Sequence, residues 1–278
     1  MKSNFRLVAL SMAACGLLVL ASCKGDDNNT PQIELSEEET IRSAQADGIL
    51  EGAQHVVESG YNFIEDPNPS SFPIFGASCP AWNYTIVGNN VSLLIDFNPS
   101  CQLLNDVLVS GQILLEYGPL INGIRAIVYT YLDFSYEGHV LNGGGDMIWV
   151  SENANGNRES NLQSDVTIAF ANSNVTAQRT GTRTSEWVAG ANSGNWFDNI
   201  YHIWGSWTTT LNTGFQRVAT VDESQYLVRN LGACSEIVAG IMIVNQDNIS
   251  GELDFGDGTC DGLAIFTVNG VEFPITLN

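Results

Sequence analysis

The sequence predicts a mainly β fold, an antiparallel meander preceded by one N-terminal amphipathic helix. Three observations predict it. Apolar and polar residues alternate with period two over many short runs, such as Ile113, Leu115 and Tyr117, or Val166, Ile168 and Phe170. Turn signals separate the runs: VNGV at 268–271, INGI at 121–124 and VGNNVS at 87–92. No long helical pattern interrupts them, which excludes βαβ units. A dozen or so strands are expected. Barrel, sandwich and curved open sheet all satisfy the pattern.

The first 22 residues read as a processing segment. Lys2 and Arg6 make a positive start, Leu7–Leu20 is an apolar run, and Leu20-Ala21-Ser22-Cys23 closes it. That is the order of a bacterial lipoprotein signal: aliphatic, small, small, then the thiol that accepts the lipid. Cys23 is therefore the expected lipidation site, and the lipid is the expected link to the membrane. Cys15 sits in mid-run with too little apolar chain before it.

Residues 23–35 are acidic, polar and proline-bearing, and read as a tether. Residues 36–278 then read as one β-rich domain carrying the helix. Ser36 with Glu39 forms a capping box, and three early glutamates suit a helix N-terminus. Ile41, Ala44, Gly48, Ile49, Ala53 and Val56 recur at helical spacing and predict a helix over about 37–58, its apolar stripe on a sheet face. Gly48 and Gly52 weaken it.

Charge excludes one class of partner. The signal holds two of the ten basic residues and none of the 31 acids, leaving a formal −23 on the remainder. Nucleic acid needs a basic face, so it is not an expected partner, and an anionic lipid surface is equally poor.

Cys79, Cys101, Cys234 and Cys260 remain once Cys15 is cleaved away and Cys23 is acylated. An even count in an exported chain predicts two disulfides. CPAWNYTIVGNNVSLLIDFNPSC and CSEIVAGIMIVNQDNISGELDFGDGTC repeat one plan: cysteine, strand, turn, strand ending in Asp-Phe, polar corner, cysteine. With turns at Asn89-Asn90 and Gln246-Asp247, each cysteine pair lies nearly equidistant from its turn, which predicts Cys79–Cys101 and Cys234–Cys260.

GELDFGDGTCDG, at 251–262, crowds Asp254, Asp257 and Asp261 around glycines. Their spacing does not match a calcium loop, and strand alternation makes them a solvent-facing corner. No HExxH and no GxSxG occurs, and the three histidines share no metal spacing. No metal or cofactor is expected. Glu116, Asp133, Glu137 and Glu152 fall on strands or strand ends and read as outward carboxylates. Trp187, Trp196, Tyr201, Trp204 and Trp207 cluster amid Asn, Ser and Thr, a composition that suits sugar rings. Alternation places Trp204 and Trp207 on opposite faces, and burial between sheets competes with exposure.

The lipobox followed by KGDD, the acidic helix, the cysteine-bounded hairpins, GTRTSEW at 181–187 and the ending DFGDGTCDGLAIFTVNGVEFPITL together resemble a group of surface and envelope lipoproteins of Bacteroidota. The tryptophan-rich YHIWGSWTTTL departs from that pattern. The resemblance implies an outer-membrane or cell-surface location and the β fold, and it carries no activity. The expectation is a lipid-anchored, non-catalytic protein that binds a glycan or another extracellular ligand. The alternative is an extracellular glycan-active hydrolase using a carboxylate pair.

Overall fold

A computed structural model describes residues 37–276 apart from 66–73, 76–78, 192, 233–236 and 247–248. One helix, α1 (Glu37–Glu65), precedes fifteen strands. They are β1 (Ala81–Val87), β2 (Asn90–Asp96), β3 (Cys101–Gln102), β4 (Leu108–Tyr117), β5 (Ile124–Tyr136), β6 (His139–Val150), β7 (Arg158–Ala169) and β8 (Thr176–Ala189). Then come β9 (Ile200–Leu211), β10 (Gln216–Val221), β11 (Leu227–Asn230), β12 (Ile237–Gln246), β13 (Ile249–Asp257), β14 (Leu263–Val268) and β15 (Val271–Thr276). All join one antiparallel sheet, ordered β1-β2-β4-β5-β6-β7-β8-β9-β10-β12-β13-β14-β15, with β3 beside β4 and β11 between β9 and β12. Among the described residues the two ends, β1 and β15, do not pair. The sheet is a single open meander, neither a closed barrel nor a two-sheet sandwich.

The predicted alternation holds. Ile113, Leu115 and Tyr117 of β4, Val166 and Ile168 of β7, and Leu253 and Phe255 of β13 all face inward and are buried. Asn269 and Gly270 carry positive φ between Val268 and Val271, as a two-residue turn requires. Val87 pairs with Asn90, so the first hairpin turns at Gly88-Asn89, one residue earlier than predicted. Gly88 takes the left-handed conformation there, which it does without steric cost.

What the inner face covers is α1. Every residue from 52 to 62 is buried, so no side of the helix in that span faces solvent. A helix enclosed on all sides must be wrapped. Trp82 of β1 stacks on Phe63, Trp149 of β6 donates to the Asn62 Oδ1 at 3.0 Å, and Arg179 and Arg183 of β8 reach Asp47 and Glu51. The sheet thus curls from one flank of α1 to the other. Gly52 allows the approach: a Cβ there would lie 2.3 Å from the Tyr136 ring of β5. The glycine that weakens the isolated helix is what lets the sheet close on it.

Two features of the predicted helix are corrected. It runs to Glu65, seven residues beyond the expected end, because Val57, Tyr61 and their neighbours continue into the core. Its predicted apolar stripe is half wrong: Ile49, Ala53 and Val56 are buried, but Ile41 is 58% exposed, and Ala44 and Gly48 are exposed too. The enclosed helix instead turns acids inward.

Cys79 and Cys101 form the predicted disulfide, with Cα atoms 5.8 Å apart. Cys260 is disulfide-bonded. Cys234 and Cys23 lie outside the described residues, so neither the second pairing nor the lipid site is seen. No described helix is long and apolar enough to cross a membrane.

Candidate functional site

Strand register decides what the convex face carries. Across β7, β8 and β9, Glu159 pairs with Glu186, and Glu186 with His202. One step along, Asn161 pairs with Thr184, and Thr184 with Trp204. Directly paired residues share a face, so these six side chains form one outward patch. It continues into Gln163, Thr182 and Ser206, then Asp165, Thr180 and Thr208. The patch is built of hydroxyls, amides and carboxylates with two aromatic groups at one end, Trp204 and the ring of Tyr226, which stacks on His202 at 3.7 Å.

The loop from β6 to β7 closes over the patch. Its sequence NANGN places an asparagine at every second position. Asn153 Oδ1 accepts the backbone N–H groups of Asn155 and Asn157, which holds the loop tight. Three side-chain amides then converge on one oxygen: Asn153, Asn155 and Asn157 each donate Nδ2 to the Glu186 Oε1, at 2.9, 3.0 and 2.9 Å. Asn153 Nδ2 also reaches the Glu159 Oε2 at 2.9 Å. The two carboxylates are therefore held face to face across one amide. Glu159 is tied again by Asn161 Nδ2 at 2.7 Å, and Thr184 Oγ1 donates to the Asn161 Oδ1.

Glu186 is only 7% exposed. Burial alone would raise its carboxyl, but the three amides and the nearby His202 outweigh that and hold it below the usual range. It stays ionised at neutral pH. Burial lowers His202 despite the attraction of Glu186. Beside this cluster opens a cleft of about 560 Å³, lined by Asn157, Arg158, Trp187, Val188, Gly190 and Ser193 among others. Arg158 lies over the Trp187 ring at 5.4 Å.

The aromatic residues singled out in the sequence divide. Trp187, Trp196, Tyr201 and Trp207 are buried in the core around α1. Trp187 stacks on Tyr201, and Trp207 Nε1 donates to the Asp47 Oδ1 at 2.9 Å. Trp204 alone is outward and half-buried, on the face opposite Trp207 as alternation requires. Glu116, Asp133, Glu137 and Glu152 are exposed and do not come together. In the aspartate stretch at 251–262, Asp254 accepts from Gly256, Asp257 from Thr259 and Asp261 from Leu263, each through a backbone N–H. Among the described residues, no group of three or more His, Cys, Asp or Glu is placed to hold a metal.

The pair Glu159 and Glu186 was not picked out in the sequence. The signal was the alternating asparagine run before Glu159, which reads as an ordinary loop until Glu186 is brought beneath it by the β7–β8 register. Comparison with protein-family models, with curated proteins and with solved structures returns no match to this chain. Class therefore rests on the fold and site alone: an open antiparallel sheet wrapped around a helix, with a polar cluster on its convex face.

Proposed function

We propose that this chain is a lipid-anchored lipoprotein of the outer membrane or cell surface that binds a hydroxyl-rich ligand, a glycan segment, on its convex face. The observation that carries the binding reading is the amide-clamped Glu186 beside the cleft. Fixed carboxylate and amide groups take hydroxyls, and Trp204 and Tyr226 offer ring faces to the apolar side of a sugar. The anchoring half of the reading is supported by Leu20-Ala21-Ser22-Cys23. Two tests separate the halves. Intact mass of the natively purified chain should show acylation that Cys23→Ala removes. A glycan array probed with the full chain should show binding that Glu186→Gln weakens at least tenfold and Glu116→Gln leaves alone. Silence on every glycan overturns the ligand.

A carboxylate pair facing across one amide also fits hydrolysis, and this keeps a second reading open. Acid catalysis at a glycosidic oxygen needs a carboxyl raised above its ordinary value. Glu186 is shifted the other way. We therefore take the pair as a binding group, and release of reducing sugar from a bound glycan would reverse that choice.

A further inference from the structure

The two ends of the sheet differ in how they meet solvent. β15 is guarded. Val268 and Val271 flank its two-residue turn, so they form a hydrogen-bonded pair, and Phe273 and Ile275 follow in the same phase. Glu272, Pro274 and Thr276 therefore point their backbone groups out of the sheet. Pro274 has no N–H to offer there, and Glu272 adds an exposed charge. Both are devices that stop another strand from docking.

β1 has neither device. Val87 and Asn90 flank its turn, so Val87, Thr85, Asn83 and Ala81 bond to β2. Trp82, Tyr84 and Ile86 point their N–H and C=O groups outward. None is proline, and β1 holds no charged residue. The whole β1–β2 hairpin from 81 to 96 carries one charge, Asp96, whose Oδ2 accepts from Gln112 and whose Oδ1 accepts from Asn98. The same three residues direct their side chains to the concave side, where Trp82 stacks on Phe63 of α1. The helix covers Trp82 and stops short of the others: Tyr84 is 48% exposed and Ile86 61%.

We infer that β1 is a docking edge for a second copy of this chain, which adds its own β1 antiparallel about a two-fold axis at Tyr84. The outward positions are self-complementary: Trp82 meets the partner's Ile86, Tyr84 meets the partner's Tyr84, and Ile86 meets the partner's Trp82. All six outward backbone groups of each strand are then paired. The rings and the isoleucine cover one another on the concave side. Charge permits the contact. On a strongly acidic chain the β1–β2 hairpin carries only Asp96, at the end away from Tyr84 and Ile86, so two such edges meet with little repulsion. An isologous contact of this kind closes at two and leaves the guarded β15 edges outside.

The test is sedimentation velocity of the full, lipidated chain in density-matched detergent over a range of protein concentration. Two chains per particle are expected, with slowed hydrogen exchange at the amides of Trp82, Tyr84 and Ile86 as the dimer forms. Tyr84→Pro copies the device of β15, because it deletes an outward N–H and leaves the β1–β2 ladder intact. Ile86→Lys adds a charge at the edge and keeps the backbone, so it decides the matter if the proline variant misfolds. Either should raise the dissociation constant at least tenfold. A monomer at all concentrations, or a dimer indifferent to Ile86→Lys, overturns the inference.

Discussion

Carboxylates meet two environments in this molecule. On the inward side of α1, Glu51 takes the Nη2 of Arg183 at 2.6 Å and its Nε at 2.7 Å, while Glu58 takes the Nη1 of the same guanidinium at 2.6 Å. Asp47 accepts from Arg179, from Arg217 and from the Trp207 indole. Arg229 adds to Glu51, and Arg125 pairs with Glu65. At the Gly256–Gly262 corner the aspartates are exposed and accept only from groups two residues away, backbone N–H groups and the Thr259 hydroxyl. The same chemical group is a structural necessity in the first place and a local turn former in the second. What separates them is desolvation: a buried charge that loses its partner has nothing else to interact with.

The sharpest break of this contrast is Arg183→Met. It leaves Glu51 and Glu58 buried without their main cation and should cost about 3–5 kcal/mol. In a domain of this size that lowers Tm by roughly 10 °C, readable by calorimetry. The matched experiment adds Glu51→Leu and Glu58→Leu to Arg183→Met. An apolar replacement of a buried ion set is often neutral or stabilising by about 1–4 kcal/mol, so the triple variant should recover most of the loss. If it remains as unstable as the single variant, the ions supply more than mutual neutralisation.

Acid probes the same network from the proton side. Burial opposes the Glu51 charge, yet Arg183 and Arg229 hold its pKa down at about 2, against 4.5 when unfolded. Its contribution is present above pH 4.5 and is lost as pH falls toward 2, amounting to about 3 kcal/mol. His55, buried on α1, is pushed well below 6.5 by burial and by Arg229 and Arg183. The unfolded chain takes a proton there first, so stability begins to fall below pH 6.5. Glu58 runs against this trend. Burial and Glu51 raise it despite Arg183, so its protonation favours the fold as pH drops. Urea midpoints against pH should therefore decline gently below 6.5 and steeply below 4.5. Glu51→Gln should remove the steep part.

How much of this the sequence shows depends on which rule a residue obeys. Strands such as β4 and β7 follow period two with apolar inward residues, and they are legible. The turn at Asn269-Gly270 and the edge at Pro274 follow from backbone chemistry, and they are legible too. Arg179 and Arg183 sit at inward positions of β8 within QRTGTRTSE, where a polar alternating run reads as a solvated strand. The acids of α1 read the same way, at spacings that match an exposed face. Each half of the network looks solvent-facing on its own, and only the long-range pairing of α1 with β8, β10 and β11 brings the halves inside. A clue was present in the arithmetic: with so few bases among 31 acids, arginines placed in strands point to acidic partners inside the fold. The convex cluster was hidden for the same reason, since Glu159 and Glu186 are 27 positions apart and meet only through register.

Packing around the enclosed helix gives a smaller effect. Gly52→Ala places a methyl group against the Tyr136 ring, which is itself buried and has little room to retreat. Overpacking of this size costs about 1–3 kcal/mol. Gly48→Ala, at an exposed position with no atom within 4 Å of the added carbon, should instead stabilise by up to about 1 kcal/mol through helix propensity. Opposite signs at two glycines four residues apart would locate the sheet's grip on α1.

The smallest effect belongs to the corner. Asp257 is fully exposed, and its carboxyl is held below the usual range by the Thr259 hydroxyl and backbone N–H. Asp257→Asn preserves an acceptor for both and removes only the charge. Its thermal midpoint should match that of the unaltered chain from low to high salt, because no cation lies opposite the group among the described residues. Addition of millimolar calcium should leave both midpoints in place, whereas a calcium loop would stabilise the unaltered chain by mass action and lose that gain on substitution. A calcium-dependent rise that Asp257→Asn abolishes would move this corner from the second environment toward the first, with a metal in the role that Arg183 plays for Glu51.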